Sequence, residues 1–499
     1  MSAFIDARTV AEGTVLEPDL AIVGGGPAGI SMALRLAHTR VRMVLLESGG
    51  MSFDAKVQQL YDGAETGAPY LPLDSSRVRY LGGGTNLWGG WCRPMDAIEF
   101  EQRDWMPHSG WPIERHTLTP YYPAAQSLCE AGPWLYEEAE RWSADQAPVI
   151  ALGEGGVATR WFQFSKMRGS PLPTHFGERY ADDLKHVPNL ATYLHANVTK
   201  LGLAPGGGAL ERLDVATLSG RRFTVKPKCA VLALGAVETA RLLLASNDVM
   251  KAGVGNGSDN VGRYFADHPI PRDIATLVLF AGQPAPFYPQ NQLIQDAIMR
   301  AGLFPSERYR RAKHMLDCSI TIEDEATLDD LGKAALAETA AALGVDAGSA
   351  SVHSLGGGCE VTPDPERRLV LTHERDALGM PKLKLQMRIA DADFAHFRDT
   401  LKELGRQLLA SRVGMLRLNR KERGEWLDGL DWGNHHMGTT RMSADPKTGV
   451  VDADLKVHGL SNLYVAGSSV YPSYGAVNPT LSIVALALRL ADHVKGKLG

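Results

Sequence analysis

One stretch near the start of the sequence, residues 19–47, restricts the possible folds more than any other. Its apolar run Leu20–Val23 is too short for a helix and is typical of a buried strand. Three glycines in GxGxxG spacing follow, and they lead into an amphipathic pattern that predicts a helix from Pro27 to about His38. A second apolar run, residues 41–46, ends on Glu47. This order of strand, glycines, helix, strand and acid predicts a βαβ unit that binds a dinucleotide.

The three glycines and the acid each have a physical role in such a unit. Gly24 makes the tight turn, Gly26 lets the backbone approach a pyrophosphate, and Gly29 lets the helix pack closely on the strand. The helix N-terminus faces the phosphate charge, and Glu47 is placed to bind ribose hydroxyls. The alternative is an ordinary βαβ turn, which the glycine spacing and the acid together make the weaker interpretation.

Composition limits the class of protein. A chain of 499 residues is too long for one simple core, so we expect two sequential or interleaved domains. Apolar residues make up 44% and charged residues 22%, which is typical of soluble globular proteins. The net charge of −5 predicts no nucleic-acid partner and no attraction to acidic membranes.

The sequence also predicts a compartment. No run approaches the roughly eighteen apolar residues that cross a bilayer, and the first residues lack the features of a signal peptide. The five scattered cysteines form no CxxC pair and no zinc-ligand spacing. These features predict a cytoplasmic protein without a membrane span and without a metal site.

A second glycine cluster lies between Arg79 and Met95, in the segment RYLGGGTNLWGGWCRPM. So many glycines exclude a stable helix or an ordinary strand. They indicate close approach of the backbone to a flat ligand, with Trp88 and Trp91 as aromatic walls. A flexible surface loop is the alternative interpretation.

The middle of the chain returns to strand patterns. Residues 190–203 and 221–234 have strand character, and the second run leads through Gly235 into a helix. A short βα unit of this kind often closes the sheet that holds the first nucleotide half. His268, directly before Pro269, is a lone histidine here, and we expect it to be structural rather than catalytic.

From about residue 270 the pattern changes. Residues 273–280 predict a strand, residues 326–344 an alanine-rich helix, and residues 367–389 two strands joined by a turn. Residues 393–413 place apolar side chains on one helical face. The overall prediction is an α/β fold in which a Rossmann-like nucleotide domain is interleaved with an α+β substrate domain built on an antiparallel sheet.

The C-terminal stretch carries the strongest candidates for chemistry. It contains NHHMGTTRM, then a strand and glycine turn (LYVAGSS), and a helix predicted from Thr480 to Val494. The N-terminus of that helix follows Asn478-Pro479 and can face an electron-rich ligand. The adjacent histidines 435 and 436 point in different directions on any regular backbone, so they do not chelate one metal side by side.

Four separated segments together resemble the glucose–methanol–choline (GMC) family of FAD-dependent oxidoreductases over nearly the whole chain. They are GGGPAG with Glu47, GGGTNLWGGWCRP, VLALGAVETARLLLAS with NVGRYFADHP, and HHMGTTRM with YGAVNPTLS. The pairing of HHMG with YGAVNPT, and the turn ERDALGMP, are most similar to the pyranose oxidase and bacterial sugar dehydrogenase branch. The chain is therefore expected to bind FAD.

The resemblance implies a division of the chain. It assigns residues 1–100, 190–270 and 434–499 to the FAD-binding domain, and residues 101–189 and 271–433 to the substrate-binding domain. The residues that it implies for cofactor binding are Gly24, Gly26, Gly29, Glu47, Gly83, Gly84, Thr85, Asn86, Trp88, Val198, Ala233, Gly235, Gly467, Ser468, Asn478, Pro479 and Thr480.

The resemblance also implies a reaction, the oxidation of an alcohol to a carbonyl by hydride transfer to FAD. It places the base on His435 and the second active-site residue on Asn478. A neutral imidazole suits the removal of a hydroxyl proton. For His436 a structural role is favoured. Asp376 is a candidate contact for sugar hydroxyls, although a plain turn residue is the better interpretation.

One position departs from the relatives that bind FAD covalently through a histidine, because here Leu87 stands there, preceded by Asn86. This predicts non-covalent FAD. Sugar or glycoside oxidation is the first functional hypothesis, oxidation of a non-sugar alcohol the second, and a non-redox flavin-fold lyase or binding protein the third. The electron acceptor is left open between oxygen, a quinone and a separate redox protein, since no haem-attachment motif is present.

Overall fold

The computed structural model describes residues 4–140, 142, 149–167, 169–280 and 286–499. In this part of the chain the strands are β1 (Ile5–Asp6), β2 (Val15–Leu16), β3 (Leu20–Val23), β4 (Met43–Leu46), β5 (Gly63–Gly67), β6 (Trp91–Cys92), β7 (Val157–Phe164), β8 (Leu190–Leu194), β9 (Asn197–Leu203), β10 (Leu210–Ala216), β11 (Arg222–Val225), β12 (Cys229–Leu232), β13 (Pro269–Ile270), β14 (Ala275–Leu279), β15 (Gln292–Ile294), β16 (Ala297–Pro305), β17 (Cys318–Glu325), β18 (Ser351–Cys359), β19 (Arg368–Arg375), β20 (Pro381–Met387), β21 (Gly414–Leu418), β22 (Asp431–Trp432) and β23 (Leu463–Val465).

The α-helices of the same part are α1 (Pro27–Arg35), α2 (Ala55–Gln58), α3 (Tyr122–Leu128), α4 (Tyr136–Ala139), α5 (Phe176–Arg179), α6 (Ala181–His186), α7 (Gly235–Ala245), α8 (Glu307–Lys313), α9 (Asp330–Leu343), α10 (Asp391–Ala410), α11 (Arg423–Leu427) and α12 (Thr480–Leu498). None of these described helices combines the length and the hydropathy that a membrane crossing requires.

A six-stranded parallel sheet in the order β1-β8-β4-β3-β12-β23 carries the N-terminal βαβ unit. Its central strands β3, β4 and β12 are short apolar runs that are buried along their whole length, as parallel strands usually are. The strands of a parallel sheet end at one common edge. Gly24, Glu47, Ala233 and Ala466 follow four of these strands directly, so they meet at that edge.

A larger antiparallel sheet forms the second half of the fold, in the order β21-β14-β18-β17-β16-β7-β6, with β15 paired to β16. Helix α10 packs against β21. Its buried apolar side chains recur at helical spacing, namely Phe394, Phe397, Leu401, Leu404 and Leu408. The predicted fold class, a Rossmann-like domain with an antiparallel sheet beside it, is therefore confirmed.

One strand near the glycine-rich loop joins the antiparallel sheet instead of the parallel one. The predicted FAD segments supply every strand of the parallel sheet, but β6, which ends that loop, pairs with β7 of the antiparallel sheet. Strand β5 pairs with β20 in a separate three-stranded sheet, β19-β20-β5. The predicted domain boundaries stay predictions, because the chain crosses between the sheets within residues 63–92.

A short two-stranded ribbon, formed by β13 and β22, matters for the site. Strand β13 pairs with β22, the N–H of Gly433 donates to the carbonyl of His268 at 3.0 Å, and Ala266 bridges to Met437. These contacts fix residues 266–270 against residues 431–437.

Three predicted boundaries were wrong for local reasons. The first helix ends at Arg35, because His38 has a φ of 61°, a left-handed value that no helix residue adopts. His195 has a φ of 60° and divides residues 190–203 into β8 and β9, which belong to different sheets. Pro227, which has no N–H for a strand ladder, separates β11 from β12.

Candidate active site

A cavity of about 400 Å³ lies at the carboxyl edge of the parallel sheet. Residues that directly follow four of its strands line the cavity: Gly24 after β3, Glu47 after β4, Ala233 after β12 and Ala466 after β23. The volume falls in the range of small-molecule and cofactor sites. The topology therefore brings distant parts of the chain to one ligand site.

The glycine turn at one end of the cavity depends on missing side chains. Gly24 has a φ of 109°, and a Cβ there would lie 2.4 Å from the carbonyl oxygen of Ala233. A Cβ on Gly29 would lie 2.0 Å from the carbonyl oxygen of Gly24. Gly26 has open space at the same position and lines the cavity. Two glycines therefore serve packing, and Gly26 leaves room for a ligand above the N-terminus of α1.

Glu47 is buried and organises the turn beside it. Its Oε2 accepts a hydrogen bond from the N–H of Gly25 at 2.8 Å, and its Oε1 accepts from the N–H of Gly49 at 2.7 Å and the hydroxyl of Ser48 at 3.2 Å. Each carboxylate oxygen has about two acceptor sites. Oε2 therefore keeps capacity for a ligand hydroxyl, which fits the predicted ribose contact.

The glycine-rich loop covers this turn. Residues Gly83–Asn86 form one 3-10 turn, and a Cβ on Gly83 would lie 3.1 Å from the Cα of Gly26. The hydroxyl of Thr85 donates to the carbonyl of Gly82 at 2.7 Å and so holds the loop. Trp88 and Trp91 line the cavity as predicted for aromatic walls.

Most of the predicted cofactor residues meet at this cavity. Those that line it are Gly24, Gly26, Glu47, Gly83, Gly84, Thr85, Trp88, Ala233, Gly235, Gly467, Ser468, Asn478, Pro479 and Thr480. Gly29 lies behind the turn, the amide of Asn86 donates to the carbonyl of Leu81 at 3.0 Å inside the loop, and Val198 is buried in β9. Sequence reasoning missed Arg77, Leu234 and Trp432, which line the cavity without any glycine or histidine motif.

The structure does not bring Asp376 to the cavity. Its Oδ2 accepts from Arg241 at 2.7 Å, and its Oδ1 accepts from the N–H groups of Leu378 and Met380 at 2.8 and 3.0 Å. It is not among the residues that line the cavity. Its contacts are those of the alternative interpretation, a residue that orders the turn between β19 and β20.

His435 and Asn478 lie in contact at the other end of the cavity. The distance from Asn478 Nδ2 to His435 Nε2 is 3.1 Å, and both residues line the cavity. Burial, followed by the nearby His268 and His436, holds the pKa of His435 well below its usual value. The imidazole is therefore neutral at neutral pH and able to accept a proton.

Two further groups hold His435 in place. The Nδ1 atoms of His268 and His435 are 2.7 Å apart, and Nε2 of His268 lies 2.7 Å from the carbonyl oxygen of Gly475. The N–H of His435 donates to Oδ1 of Asp267 at 2.8 Å. Sequence reasoning treated His268 as a lone structural histidine, because nothing in the pattern relates it to a histidine 167 positions away.

Two polar atoms near this end fit a ligand with hydrogen-bonding edges. Nε2 of His436 and Nε1 of Trp432 are buried, and neither has a hydrogen-bond partner among the residues that the structure describes. Both residues line the cavity. Buried polar groups are rarely left unsatisfied, so a bound flavin or substrate is the natural partner. Together with the glycine turn and Glu47, which line the same cavity, His436 and Trp432 form a site that fits FAD.

In the described part of the chain no group of three or more His, Cys, Asp or Glu side chains is arranged to hold a metal ion. The five cysteines are all described, buried and free.

Comparisons with known proteins agree with this geometry. Residues 363–487 match the family model described as GMC oxidoreductase. The chain is 29% identical to the fructose dehydrogenase large subunit of Gluconobacter japonicus over 55% of this chain and 48% of that subunit, so the match spans about half of the relative. It is 25% identical to paromamine 6'-oxidase of Streptomyces fradiae over 96% of this chain and 92% of the relative. The solved structure of formate oxidase has a TM-score of 0.62 at 17% identity, covering 98% of this chain and 99% of that one, and shows a shared fold.

Proposed function

Because residues 363–487 match the GMC oxidoreductase family model, whose members bind FAD, we propose that the chain is a GMC-type enzyme that oxidises a hydroxyl group of a sugar or glycoside to a carbonyl. The observation that carries this proposal is the contact between His435 and Asn478 in the same cavity as the dinucleotide turn. A base and a hydrogen-bond donor at one point of a flavin-sized cavity suit the oxidation of an alcohol.

The two residues divide the work on the hydroxyl group. Nε2 of His435 takes the hydroxyl proton, while Nδ2 of Asn478 donates a hydrogen bond to the same oxygen and keeps it in register. FAD, held by the glycine turn and the glycine-rich loop that line the cavity, would supply the hydride acceptor for the carbon that bears the hydroxyl. The substrate thereby loses one proton and one hydride and becomes a carbonyl compound. The hydroxyl enters between Nδ2 and Nε2, which are 3.1 Å apart, and replaces their mutual hydrogen bond.

The rim of the cavity supports a polyhydroxylated substrate. Arg272 and Asp431 are half-exposed, form an ion pair at 3.0 Å and line the cavity. Trp91 also lines it, with its ring held against Phe162 and Phe164 at 4.9 and 4.6 Å between centroids. Charged groups and an aromatic ring that line one cavity suit a ligand with several hydroxyl groups and an apolar face. The names of the two relatives, a fructose dehydrogenase and a paromamine oxidase, support the same substrate class.

The cofactor is proposed to be non-covalent. Leu87, which the family resemblance matches to the histidine of the covalent relatives, lines the cavity, and its side chain has no atom that bonds to a flavin. Denaturation with acid or heat should therefore release all of the flavin into the supernatant. Flavin that stays with the precipitated protein would contradict this part of the proposal.

The deciding experiment is the visible spectrum of the purified protein under anaerobic conditions, with a panel of sugars, glycosides and simple alcohols. Bleaching of the flavin band by sugars or glycosides is the expected result. Bleaching by non-sugar alcohols alone would favour the second hypothesis, and a yellow protein that catalyses a reaction without bleaching would favour a lyase. A colourless protein that takes up no FAD would overturn the proposal.

The same sample identifies the class of electron acceptor. Rapid return of the flavin band when air is admitted would indicate an oxidase, whereas slow return with air and fast return with a quinone would indicate a dehydrogenase.

We also propose a cytoplasmic location, which the five buried, free cysteines support.

A further inference from the structure

His268 and His435 share one hydrogen bond between two nitrogens of the same kind. Their Nδ1 atoms are 2.7 Å apart, so one must carry a proton and the other must offer a lone pair. The distance alone does not say which is which. The second nitrogen of each ring therefore decides the direction of the bond.

The carbonyl oxygen of Gly475 determines the direction of the hydrogen bond between the two histidines. Nε2 of His268 lies 2.7 Å from that oxygen, and a carbonyl oxygen accepts hydrogen bonds but donates none. Nε2 of His268 therefore carries a proton. Burial lowers the pKa of His268 to about 4, so the ring is neutral at neutral pH and has one proton only. Its Nδ1 is then a lone pair that accepts from Nδ1–H of His435.

The direction of this hydrogen bond determines which ring nitrogen of His435 carries the proton. With its single proton on Nδ1, neutral His435 has the lone pair on Nε2, the atom that faces Asn478 at 3.1 Å. We propose that His268, held by the Gly475 carbonyl, is a positioning residue that keeps His435 in the Nδ1–H tautomer, so that Nε2 is always ready to take a hydroxyl proton. This inference rests on the proposed alcohol oxidation for its catalytic meaning, but the tautomer itself does not depend on it.

The opposite tautomer is excluded whichever way the Asn478 amide is turned. If Nε2 of His435 carried the proton, its Nδ1 would be a lone pair, and Nδ1 of His268 would have to donate. Nε2 of His268 would then place a lone pair against the carbonyl oxygen of Gly475 at 2.7 Å, and two acceptors at that distance repel each other.

The backbone around the two rings is held as firmly as the rings. Oδ1 of Asp267 accepts from the N–H groups of both histidines, at 2.7 Å for His268 and 2.8 Å for His435. Its Oδ2 accepts from the hydroxyl of Tyr70 at 2.7 Å. The N–H of Gly475 donates to Glu360 at 3.1 Å. One carboxylate thus fixes both histidine backbones, and a second fixes the residue that supplies the deciding carbonyl.

Two substitutions at position 268 separate the two hydrogen bonds. In H268N the side-chain oxygen reaches about as far as Nδ1 and can still accept from His435. In H268Q the side-chain nitrogen reaches about as far as Nε2 and can still donate to Gly475, but the acceptor for His435 is lost. We expect H268Q to lower the anaerobic rate of flavin reduction about 10–100-fold, as the loss of a partner that orients a reactive histidine does elsewhere. H268N should recover most of that loss.

Other measurements distinguish positioning from a structural role. Both variants should retain wild-type FAD content and should lose a similar amount of thermal stability, because each gives up one buried hydrogen bond; in H268Q the KM should change little while kcat falls. In protein labelled with 15N-histidine, the chemical shifts of the His435 ring nitrogens report which one is protonated. Wild type and H268N should show protonated Nδ1 and unprotonated Nε2, whereas H268Q should show a mixture.

The proposal would be overturned if wild-type His435 carried its proton on Nε2. Equal reduction rates and equal nitrogen shifts in H268Q and wild type would also overturn it. If H268Q does not fold, the nitrogen shifts of the wild-type protein and of H268N decide the question. Because those shifts are recorded without substrate, a wild-type protein that oxidises no alcohol would contradict the proposed function and leave the tautomer assignment standing.

Discussion

The glycine turn after β3 and the histidine pair beside Asn478 face the same cavity, yet different parts of the chain build them. The turn comes from one continuous stretch, residues 19–47, and its shape depends on side chains that are absent. The histidine end takes residues 267–268, 434–436 and 475–478 from three distant segments, and it depends on directed hydrogen bonds between side chains.

The two sites are therefore sensitive to different kinds of substitution. Steric fit at a glycine turn fails when an atom is added, because a new Cβ meets backbone within 2.0–2.4 Å. A hydrogen-bonded pair fails when an atom is removed or a proton moves. We therefore expect substitutions at the first end to change FAD binding, and substitutions at the second end to change the rate of oxidation.

The largest effect is expected from His435→Ala. Removal of the base should lower the rate of flavin reduction by about 10²–10⁴-fold, the usual contribution of a general base. FAD content should stay at the wild-type level, since the glycine turn is untouched. Stopped-flow absorbance measures both quantities. His116→Ala is the matched control, because the His116 side chain is 78% exposed. A His435→Ala enzyme with wild-type rates would remove His435 from the mechanism.

At the glycine turn we expect a contrast between Gly29→Ala and Gly26→Ala. The new Cβ at position 29 meets the Gly24 carbonyl oxygen at 2.0 Å, so this variant should lose about 1–3 kcal/mol of stability and most of its bound FAD. At position 26 the space is open, so the protein without cofactor should keep its melting temperature while FAD binds about tenfold more weakly.

Thermal unfolding with and without FAD, together with FAD titration, measures this contrast. If Gly26→Ala bound FAD like wild type, the ligand would not lie close to Gly26. If both variants unfolded at the wild-type temperature, the steric account of the turn would be wrong.

A smaller effect is expected from pH. The pKa of His435 is lowered mainly by burial, then by His268 and His436, so the neutral base persists to a pH below its usual value near 6.5. The rate of flavin reduction should be constant from about pH 6.5 to 8.5 and should fall only at lower pH. Burial raises the pKa of Asp267 to about 7. A step in the rate near pH 7 would therefore assign the profile to Asp267 and contradict control by His435.

The smallest effect on catalysis is expected from Asp376→Asn. The aspartate pairs with Arg241 in the turn between β19 and β20 and lies outside the cavity. The variant should lower the melting temperature by weakening a buried charged hydrogen bond, at a cost of about 1–3 kcal/mol. KM for any sugar should remain unchanged. A clear rise in KM would instead indicate that Asp376 contacts the substrate, as the sequence suggested.

The dinucleotide turn was predictable from the local sequence pattern. The positions of Gly24, Gly26 and Glu47 follow from spacing, because a βαβ unit is local and the contact of Gly29 with Gly24 and the hydrogen bond of Glu47 to Gly25 lie within it. The steric limit at Gly24 itself comes from distant Ala233. His435 and Asn478 were predicted from a family resemblance and meet in the cavity. The resemblance supplied their positions, and no local pattern gave their 3.1 Å contact.

The contact of His268 with His435, and the places of Asp376, Asn86 and Val198 outside the cavity lining, were not predictable from the sequence and required the three-dimensional structure. The pairing of β13 with β22 brings His268 within 2.7 Å of His435, and one carbonyl of Gly475 sets the direction of their hydrogen bond. Such a direction depends on distances between residues far apart in the chain. Periodicity and spacing describe only residues close in sequence. They therefore do not show which of two histidines, 167 positions apart, carries the proton of their shared hydrogen bond.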